Sequence, residues 1–513
     1  MSIATVRGNA DNIVVIGAGL AGLSSALHLA GAGRTVTVLE QSHQPGGKAG
    51  TFEKDGYTFD NGPTVLTMPD LIREAFAAVG EDMDRCLELL PVTPAYRARY
   101  HEGSSLDVHT DPEAMAAEIA NVCGSGEAAG YRRLHTFLHQ LYTAEFDHFI
   151  DRNIDHPLDL HLPALGRLAA LGAFRNMESK IRQYLKDPRT LRLFSFQALY
   201  AGVAPHQARA LYAIISYMDT VAGVFFPKGG MHQLPKAMAA AAQRHGVTIR
   251  YNTLAERIET TLHGRARAVL TTGGERIPAD AVVITTDPAL AFGQLLGRTP
   301  ARVRRRRHSP SCALLLAGAR NDSNEIAASP QAPAHHTIHF ARAWRRGFSE
   351  IIRDGQLMSD PSFLVSTPSL SDPSLAPDGH HSYYALFPTP NLTTGKVNWE
   401  RDGHHYRQEI LTTLDTHGYH ALAQSPQAEH LITPRDWADR GCPAGTPFSA
   451  AHTFFQTGPF RTRNLVGDNI VLAGAGTHPG VGIPMALISG RLAAERITGP
   501  VRARARTLQG ASR

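Results

Sequence analysis

A glycine-rich turn near the N-terminus has the spacing that binds the pyrophosphate of a dinucleotide. Gly17, Gly19 and Gly22 form a G-x-G-x-x-G pattern, with Ala18 between the first two. The first glycine permits a tight turn, the second lets the main chain approach the phosphates, and the third lets a helix pack closely on a strand. Because the N-terminus of that helix then faces the anion, the pattern predicts a dinucleotide site.

The segments on either side of this turn have the periodicity that such a site requires. The apolar run 12–16 predicts a buried parallel strand, and apolar residues at helical spacing follow the turn. A second apolar run, 35–39, ends at Glu40, twenty-three residues after Gly17, and Gln41 follows it. A carboxylate at this place accepts the ribose hydroxyls and repels a 2′-phosphate, so NADP is disfavoured.

Two further turns favour FAD as the dinucleotide. The first, 45–50, brings flexible main chain at Gly47 and a cation at Lys48 beside the phosphates, and the second, 59–64, can pass close under a flat ring. Together they resemble the FAD-containing amine oxidase and phytoene desaturase superfamily, in which arginine is commoner at the position of Lys48. Lysine there replaces a bidentate phosphate grip by a single point contact.

A glycine-rich stretch near the C-terminus, 474–484, resembles the flavin signature of the same superfamily. Its main chain would lie against the isoalloxazine, and the following helix would direct its N-terminus at the pyrimidine end of the ring. Many relatives place an acid here for the ribityl chain; this stretch has none, so we expect main-chain groups to substitute. The resemblance assigns these residues to the FAD site: Gly17, Ala18, Gly19, Gly22, Glu40, Gln41, Gly47, Lys48, Gly62, Pro63, Thr64, Leu254, Gly476, Gly482, Ile483 and Pro484.

Four segments narrow the resemblance to the bacterial phytoene desaturases. They follow the family's order along nearly the whole chain: 90–96, 226–231, 372–379 and 474–484. After Pro484 the chain departs from the commoner pattern and resembles the actinobacterial branch, which leaves the fine choice of substrate open. The resemblance implies FAD-dependent desaturation of phytoene, 15-cis or all-trans, in several steps towards neurosporene or lycopene in carotenoid biosynthesis.

Two alternatives keep parts of this interpretation. A carotenoid isomerase or a carotenoid oxygenase would share the fold and the flavin but act on an already conjugated polyene. A lipid carrier of the same fold would have lost FAD, which the intact glycine motifs and Glu40 argue against. The sequence contains no second strand–GxGxxG–helix unit, so we expect a quinone or oxygen, and not a bound nicotinamide, to reoxidise the flavin.

The motifs do not fix the residue that takes up the proton of a desaturation. The reaction removes a hydride from one carbon and a proton from the next, and flavin N5 is the natural hydride acceptor. The segment 155–167 matches no acid–arginine pair of the kind considered for the family. His478, within the C-terminal signature, is the candidate base; its alternative role is to position the loop by hydrogen bonds.

The order of the elements predicts an α/β fold: a Rossmann-like, GR2-type FAD-binding domain with an inserted α+β lobe for the substrate and the membrane. The pattern is mostly helical from about 105 to 222 and returns to strands near Val224. The predicted bounds are 1–100, 224–300 and 441–505 for the FAD-binding domain, 101–223 and 301–440 for the lobe, and 506–513 for a flexible tail.

Composition excludes several classes of protein. With 43% hydrophobic and 19% charged residues the chain is globular, and no run reaches the ~18 apolar residues of a membrane-spanning helix. Its four cysteines lack a CxxC spacing, which argues against a disulfide framework. The same cysteine usage favours a reducing cytoplasm. The net charge of +5 comes without a nucleic-acid motif, so we expect no nucleic-acid partner. The basic charge and the hydrocarbon substrate that the resemblance implies favour peripheral association with the cell membrane.

The histidine, arginine and aromatic clusters of the sequence are explained by ordinary strands, surfaces and core positions. The histidines of 335–339 alternate as in a strand, so we expect no metal there. The arginines of 302–307 predict a solvated helix face, with a lipid-headgroup contact as the alternative. Segments 162–174 and 208–218 predict helices of the core or of a membrane contact. Three aromatic pairs predict core positions, with some of them lining a tunnel for the polyene: 225–226, 383–384 and 454–455.

Overall fold

The computed structural model describes residues 3–321 and 333–500. Within these ranges the strands are, in chain order, β1 (Asn12–Ile16), β2 (Thr35–Leu39), β3 (Thr51–Lys54), β4 (Tyr57–Asp60), β5 (Leu89–Pro91), β6 (Tyr96–Tyr100), β7 (Ser105–Val108), β8 (Phe225–Pro227), β9 (Thr248–Arg250), β10 (Ala255–Thr260), β11 (Ala266–Thr271), β12 (Arg276–Pro278), β13 (Ala281–Ile284), β14 (Ser311–Arg320), β15 (His336–Phe340), β16 (Phe363–Ser366), β17 (His380–Thr389), β18 (Gln427–Ile432), β19 (Leu465–Val466) and β20 (Ile470–Leu472).

The α-helices in the same ranges are α1 (Leu20–Gly31), α2 (Asp70–Ala77), α3 (Pro112–Cys123), α4 (Ser125–Glu145), α5 (Leu162–Leu171), α6 (Met177–Ile181), α7 (Pro188–Leu193), α8 (Ala213–Thr220), α9 (Gln233–Arg244), α10 (Pro288–Leu290), α11 (Ala301–Arg304), α12 (Trp344–Ser349), α13 (Trp399–Thr416), α14 (His420–Gln424), α15 (Pro434–Asp439) and α16 (Ile483–Thr498).

A six-stranded sheet forms the cofactor half of the molecule, with the order β19-β20-β13-β1-β2-β9. All neighbours pair in parallel except β19, which runs antiparallel to β20. On one face Ile13 and Val15 pack with α1, α9 and α16, and on the other Val14 and Ile16 pack with the antiparallel meander β10–β12. Both faces are therefore covered, as the short apolar strands of a parallel sheet require.

A seven-stranded sheet lies in the other half, with the order β18-β14-β17-β16-β15-β6-β7. It is antiparallel except between β15 and β6. The long strands β14 and β17 pair over ten residues each, and apolar residues of α13 and α14 cover one face of the sheet. The predicted combination of a Rossmann-like sheet and a second, mixed α+β layer is confirmed.

The segment between β7 and β8 is built almost entirely of helices, which confirms the sequence-based expectation for this part of the chain. It holds α3 to α8, and α4 packs against α3, α5 and α8. At Glu145 α4 passes into a π-helical turn, Phe146–Ile150. This helical segment lies beside the carboxyl end of the six-stranded sheet. Tyr212 Oη donates to His452 O over 2.7 Å, and the His452 ring lies against Gly480 of the C-terminal glycine loop.

The predicted division into domains stays a prediction. Strand β6, which falls inside the predicted segment 1–100, pairs with β15 of the seven-stranded sheet. The predicted tail 506–513 lies outside the described residues. Across 3–321 and 333–500, no helix is long and apolar enough to cross a membrane.

The histidine run is part of a buried strand, β15, as its alternation predicts. His336 Nδ1 lies 2.7 Å from Ser366 Oγ, and His339 Nε2 lies 3.0 Å from Tyr419 Oη, so both rings are held by hydroxyl groups of neighbouring segments. In the part of the chain that the structure describes, His, Cys, Asp and Glu side chains form no group of three that could hold a metal ion.

Candidate functional site

One cavity of about 1570 Å³ joins the glycine-rich turn after β1 to an apolar arm among the helices. Fourteen of the residues predicted to bind the cofactor line it: Gly17, Gly19, Glu40, Gln41, Gly47, Lys48, Gly62, Pro63, Thr64, Leu254, Gly476, Gly482, Ile483 and Pro484. Two others, Ala18 and Gly22, lie behind the wall and shape it. Residues far apart in the sequence thus meet at one place, the carboxyl edge of the six-stranded sheet, where open α/β sheets bind their ligands.

The three glycines of the first turn have different roles. Gly17 has a φ of +103°, and a Cβ on Gly22 would lie 2.0 Å from the Gly17 carbonyl oxygen, so both positions require glycine for the fold itself. A Cβ on Gly19 would meet nothing nearer than 3.9 Å. No side chain caps the N-terminus of α1. Gly19 therefore leaves open the approach to helix amides that can bind a pyrophosphate.

Glu40 is buried at the end of β2, where it holds the first turn as well as facing the cavity. Its Oε2 accepts a hydrogen bond from Ala18 N over 2.7 Å, and its Oε1 accepts one from Ser42 N over 2.8 Å. Each oxygen keeps further lone pairs for ribose hydroxyls. Gln41 follows on the cavity wall, and Leu254, half-exposed, closes this end of the cavity.

The turns 45–50 and 59–64 pack directly on each other, as expected for two segments that pass the same ring. A Cβ on Gly62 would lie 1.7 Å from the Lys48 carbonyl oxygen, so only glycine fits there. The Lys48 ammonium group donates to Pro447 O over 2.7 Å. Its predicted contact with a phosphate stays a prediction.

Two arginines that sequence analysis did not assign to the site hold the C-terminal glycine loop from behind. Arg461, which is buried, donates to Thr477 O over 2.7 Å and to Ala475 O over 2.5 Å. Arg306 donates to Gly476 O over 3.4 Å. Arg306 is half-buried, whereas the other arginines of 302–307 are exposed, as the predicted solvated face requires. Burial lowers the pKa of Arg461 to about 10, which leaves it charged at neutral pH.

An acid from another segment stands next to the C-terminal loop, although the loop itself has none. Asp287 follows β13 at the carboxyl edge of the sheet and lines the cavity. Its Oδ2 accepts a hydrogen bond from Ser449 Oγ over 2.6 Å, and a Cβ on Gly476 would lie 3.0 Å from the same atom. The expectation that main-chain groups alone serve this region is therefore incomplete. The position of Asp287 after an apolar strand is the sequence signal that would have found it.

His478 lies in the cavity wall and is buried. Burial and the nearby Arg461 lower the pKa of His478 to about 4, so its imidazole is neutral at physiological pH. A group with this pKa is a weak base. The proposed role of His478 in catalysis stays a prediction.

The arm of the cavity that extends into the helical segment is lined mainly by apolar side chains. They include Phe149, Leu165, Leu168, Leu211, Ile214 and Met218. Two carboxyl groups, Glu145 and Asp219, stand among them. Burial raises the pKa of Glu145 to about 8 and that of Asp219 to about 7. Sequence analysis missed both. For Asp219 the signal was a lone acid directly after the mainly apolar segment 208–218.

These features fit FAD. The uncapped N-terminus of α1 suits a pyrophosphate, Glu40 suits a ribose, and the stacked glycine turns leave flat main-chain surfaces for a ring. The N-terminus of α16, which begins at Ile483 after Gly482, also opens on the cavity without a side-chain cap. When bound, FAD would supply a two-electron oxidant at the junction with the apolar arm.

Replacing Gly19 separates cofactor binding from folding. Because the protein leaves room for a side chain at this position, Gly19→Val should fold with the thermal stability of the wild type and yet purify without flavin absorbance. Gly126→Val, in the exposed first turn of α4 where a Cβ meets no atom within 4 Å, is the matched control and should keep its flavin. Normal flavin content in Gly19→Val would contradict the assignment of this turn to the cofactor.

Comparison with known proteins agrees with this site. The sequence profile of the family described as flavin containing amine oxidoreductase matches residues 20–498. Phytoene dehydrogenase of Streptomyces griseus is 53% identical over 98% of each chain. The zeta-carotene-forming phytoene desaturase of Myxococcus xanthus is 33% identical over 94% of this chain and 93% of its own length.

Solved structures show the same fold at low sequence identity. Wild-type putrescine oxidase bound to putrescine matches with a TM-score of 0.61 and 16% identity, over 94% of this chain and 98% of that one. An oxidoreductase from Methanosarcina mazei matches with a TM-score of 0.60 and 14% identity, over 93% and 98%. This chain is therefore an FAD-dependent oxidoreductase that belongs to the flavin containing amine oxidoreductase family, as its phytoene dehydrogenase and phytoene desaturase relatives indicate.

Proposed function

We propose that this protein desaturates phytoene, transferring hydrogen from the polyene to FAD in several successive steps. The observation that carries the proposal is the continuity of one cavity from the dinucleotide turn to the apolar arm. A hydrocarbon chain in that arm would reach the flavin region without crossing water. Because it has no polar group to bind, its position would be set by the shape of the arm alone.

The names of the relatives support this substrate class and leave the end product open. The Myxococcus xanthus enzyme is named as zeta-carotene-forming, the Pantoea ananas enzyme as lycopene-forming, and the Rhodobacter capsulatus enzyme as neurosporene-forming. These three cover at least 92% of this chain with 29–33% identity. We place the product of this protein within the same series, neurosporene or lycopene.

The protein's own contribution to the reaction would be alignment and exclusion of water. The side chains of α5 and α8 would hold a straight segment of the polyene. The turn 59–64 and the loop 474–484 would hold the flavin ring that accepts the hydride. An isolated charge is costly in a dry, apolar arm. The proton lost by the substrate therefore needs an acceptor within the cavity. The electron acceptor in the second half of the cycle would be a quinone or oxygen.

Exposed apolar residues near the apolar arm support the proposal that this surface docks on a membrane. A long hydrocarbon would then enter the arm from the lipid. Phe174 and Phe454 line the cavity and are partly exposed. Phe455, whose ring lies 5.2 Å from that of Phe454, is 75% exposed, and Leu158 and Leu162, on either side of the cavity-lining Leu160, are 81% and 74% exposed. The prediction that 454–455 is a core pair is therefore wrong. We call these five exposed residues the apolar rim.

Basic side chains accompany the apolar rim. Arg167 is exposed near Leu162 and Arg175 next to Phe174 in the sequence, and the exposed Arg209 donates from Nη1 to the Phe174 carbonyl oxygen over 3.0 Å. An exposed apolar patch with arginines around it suits the interface of an anionic bilayer. The protein would thus be a peripheral membrane enzyme on the cytoplasmic side, taking phytoene directly from the lipid.

Product analysis tests the reaction. Purified protein with FAD, a quinone and phytoene-loaded liposomes should form products with longer conjugation, and each new double bond should reduce one quinone by two electrons. Gly19→Val protein should form none. Unchanged phytoene from flavin-loaded protein would contradict the proposal, and conversion of a polyene without quinone consumption would indicate an isomerase.

Liposome flotation tests the apolar rim. Burying a Leu or Phe side chain is worth about 1.5–3 kcal/mol, so Leu162→Glu and Phe455→Glu should each lower the partition onto anionic liposomes by about tenfold or more. Flavin content should not change. Leu262→Glu, at a fully exposed leucine of the β10–β11 hairpin, is the matched control and should bind as the wild type does. Equal flotation of all four proteins would refute the docking site.

A further inference from the structure

Asp219 occupies the place where the apolar arm meets the flavin region. It lies near the end of α8 and lines the cavity together with Thr64 of the turn 59–64 and the adjacent Val65. The chain that follows α8 is tied to the same part of the molecule, because Phe225 N donates to Leu66 O over 2.8 Å. A substrate lying along α8 would therefore pass Asp219 as it reaches the ring.

Three tyrosines connect Asp219 with the turn 59–64, which is predicted to pass close to the flavin ring. Tyr96 and Tyr200 are its immediate electrostatic neighbours, and Tyr200 in turn neighbours Tyr384. The Tyr384 hydroxyl group donates to Gly62 O over 2.8 Å. The aspartate is thus held in a polar group that borders the cofactor turn and not in the middle of the apolar arm.

The carboxyl group of Asp219 is only partly used by the fold. Its side chain is 5% exposed, and Oδ2 has no hydrogen-bond partner in the described part of the chain. A buried polar atom without a partner costs stability, and such atoms persist where function requires them. A buried acid with one unpaired oxygen, in a cavity wall that is otherwise mainly apolar, is therefore a candidate for a chemical role.

We propose that Asp219 is the catalytic residue that accepts the proton lost from the polyene in each desaturation. This inference rests on the proposed function. At one carbon the C–H bond would break and its electron pair would leave as hydride, which FAD, when bound, would accept. At the adjacent carbon the C–H electron pair forms the new double bond, and the proton passes to an Asp219 carboxylate oxygen, which becomes the acid and later releases the proton to solvent.

The groups around Asp219 tune it for this role. Burial raises its pKa and the Tyr96 side chain partly opposes that effect, which places the pKa at about 7. A base whose pKa lies near the working pH is the most effective, because enough of it is ionised and it still binds a proton well. Below pH 7 the protonated form of Asp219 predominates and cannot accept a proton. The rate of desaturation should therefore rise with pH through about 7.

The other ionisable groups of the cavity suit the role less well. Glu145, at the end of the neighbouring α4, also has an oxygen without a partner in the described ranges, but burial raises its pKa to about 8. It is more fully protonated at neutral pH. His478 has a pKa of about 4, which makes it the weaker base. Glu145, the nearer of the two in pKa, provides the comparison variant.

The experiment compares the pH dependence of the first desaturation in the wild type, Asp219→Asn, Asp219→Glu and Glu145→Gln, each with bound flavin confirmed by its visible spectrum. Asp219→Asn should lose about 100-fold in rate or more and lose the rise near pH 7. Asp219→Glu should restore part of both, and Glu145→Gln should keep the rise. A normal rate and pH profile in Asp219→Asn, or a rise that is lost in Glu145→Gln instead, would overturn the proposal.

Infrared spectroscopy of the protein without substrate gives a readout that does not depend on turnover. The carbonyl stretch of protonated carboxyl groups should lose intensity as the pH rises through about 7, with one contribution from Asp219 and a second from Asp60, whose burial raises its pKa to about 7 as well. The difference between the wild type and Asp219→Asn should therefore contain one titrating carboxyl group. Equal intensity in the two proteins at every pH would overturn the inference. If the titration belongs to Asp219 but the wild type converts no phytoene, the proposed function fails while the assignment of the titrating acid stands.

Discussion

The contact between helices α1 and α16 is the packing on which the cofactor site depends. A Cβ on Gly490 would lie 2.3 Å from Ala21 O, so the two helices approach more closely than side chains allow. Ser24 Oγ donates to Leu487 O over 2.8 Å, and Ser25 Oγ donates to Gly490 O over 2.9 Å. Because each helix follows a strand of the same parallel sheet, both N-termini open at one edge. One serves the dinucleotide turn and the other the C-terminal loop.

The cofactor half could be predicted from the sequence because its signals are local. The turn at Gly17–Gly22, the acid at Glu40 and the loop at 474–484 each have a spacing that follows from main-chain geometry. The βαβ unit and the parallel strands follow from short apolar runs between glycines. What this reasoning could not supply is support from distant segments. Arg461 and Asp287 meet the C-terminal loop only in the folded chain.

The apolar arm could not be predicted for a different physical reason. Its wall is assembled from many short helices and from strands of the seven-stranded sheet. An apolar residue that faces a cavity has the same sequence pattern as one that faces the core. The helix containing Leu162 and the pair Phe454 and Phe455 show the same limit, since exposure at a rim depends on which neighbours are missing. Only an acid in an apolar context, such as Asp219, stands out in the sequence.

The two halves together describe an enzyme whose substrate is bound by shape and whose chemistry depends on a flavin and a buried acid. With FAD bound at the glycine turns and the polyene in the apolar arm, all three would share one cavity, so the polyene would not need to be released between the oxidant and the base. Glu145 and Asp219 are the polar exceptions in a wall that otherwise excludes charge. Successive desaturations then require only that the chain slide along the arm, because no polar anchor fixes its register.

An anaerobic titration of the flavin-loaded protein with phytoene tests the central claim, that the polyene and the flavin share this cavity and exchange hydrogen within it. We predict that the absorbance of the oxidised flavin falls in step with the formation of new double bonds, one flavin reduced by two electrons for each. Product formed without loss of flavin absorbance, or flavin-loaded protein that leaves phytoene unchanged, would contradict the account.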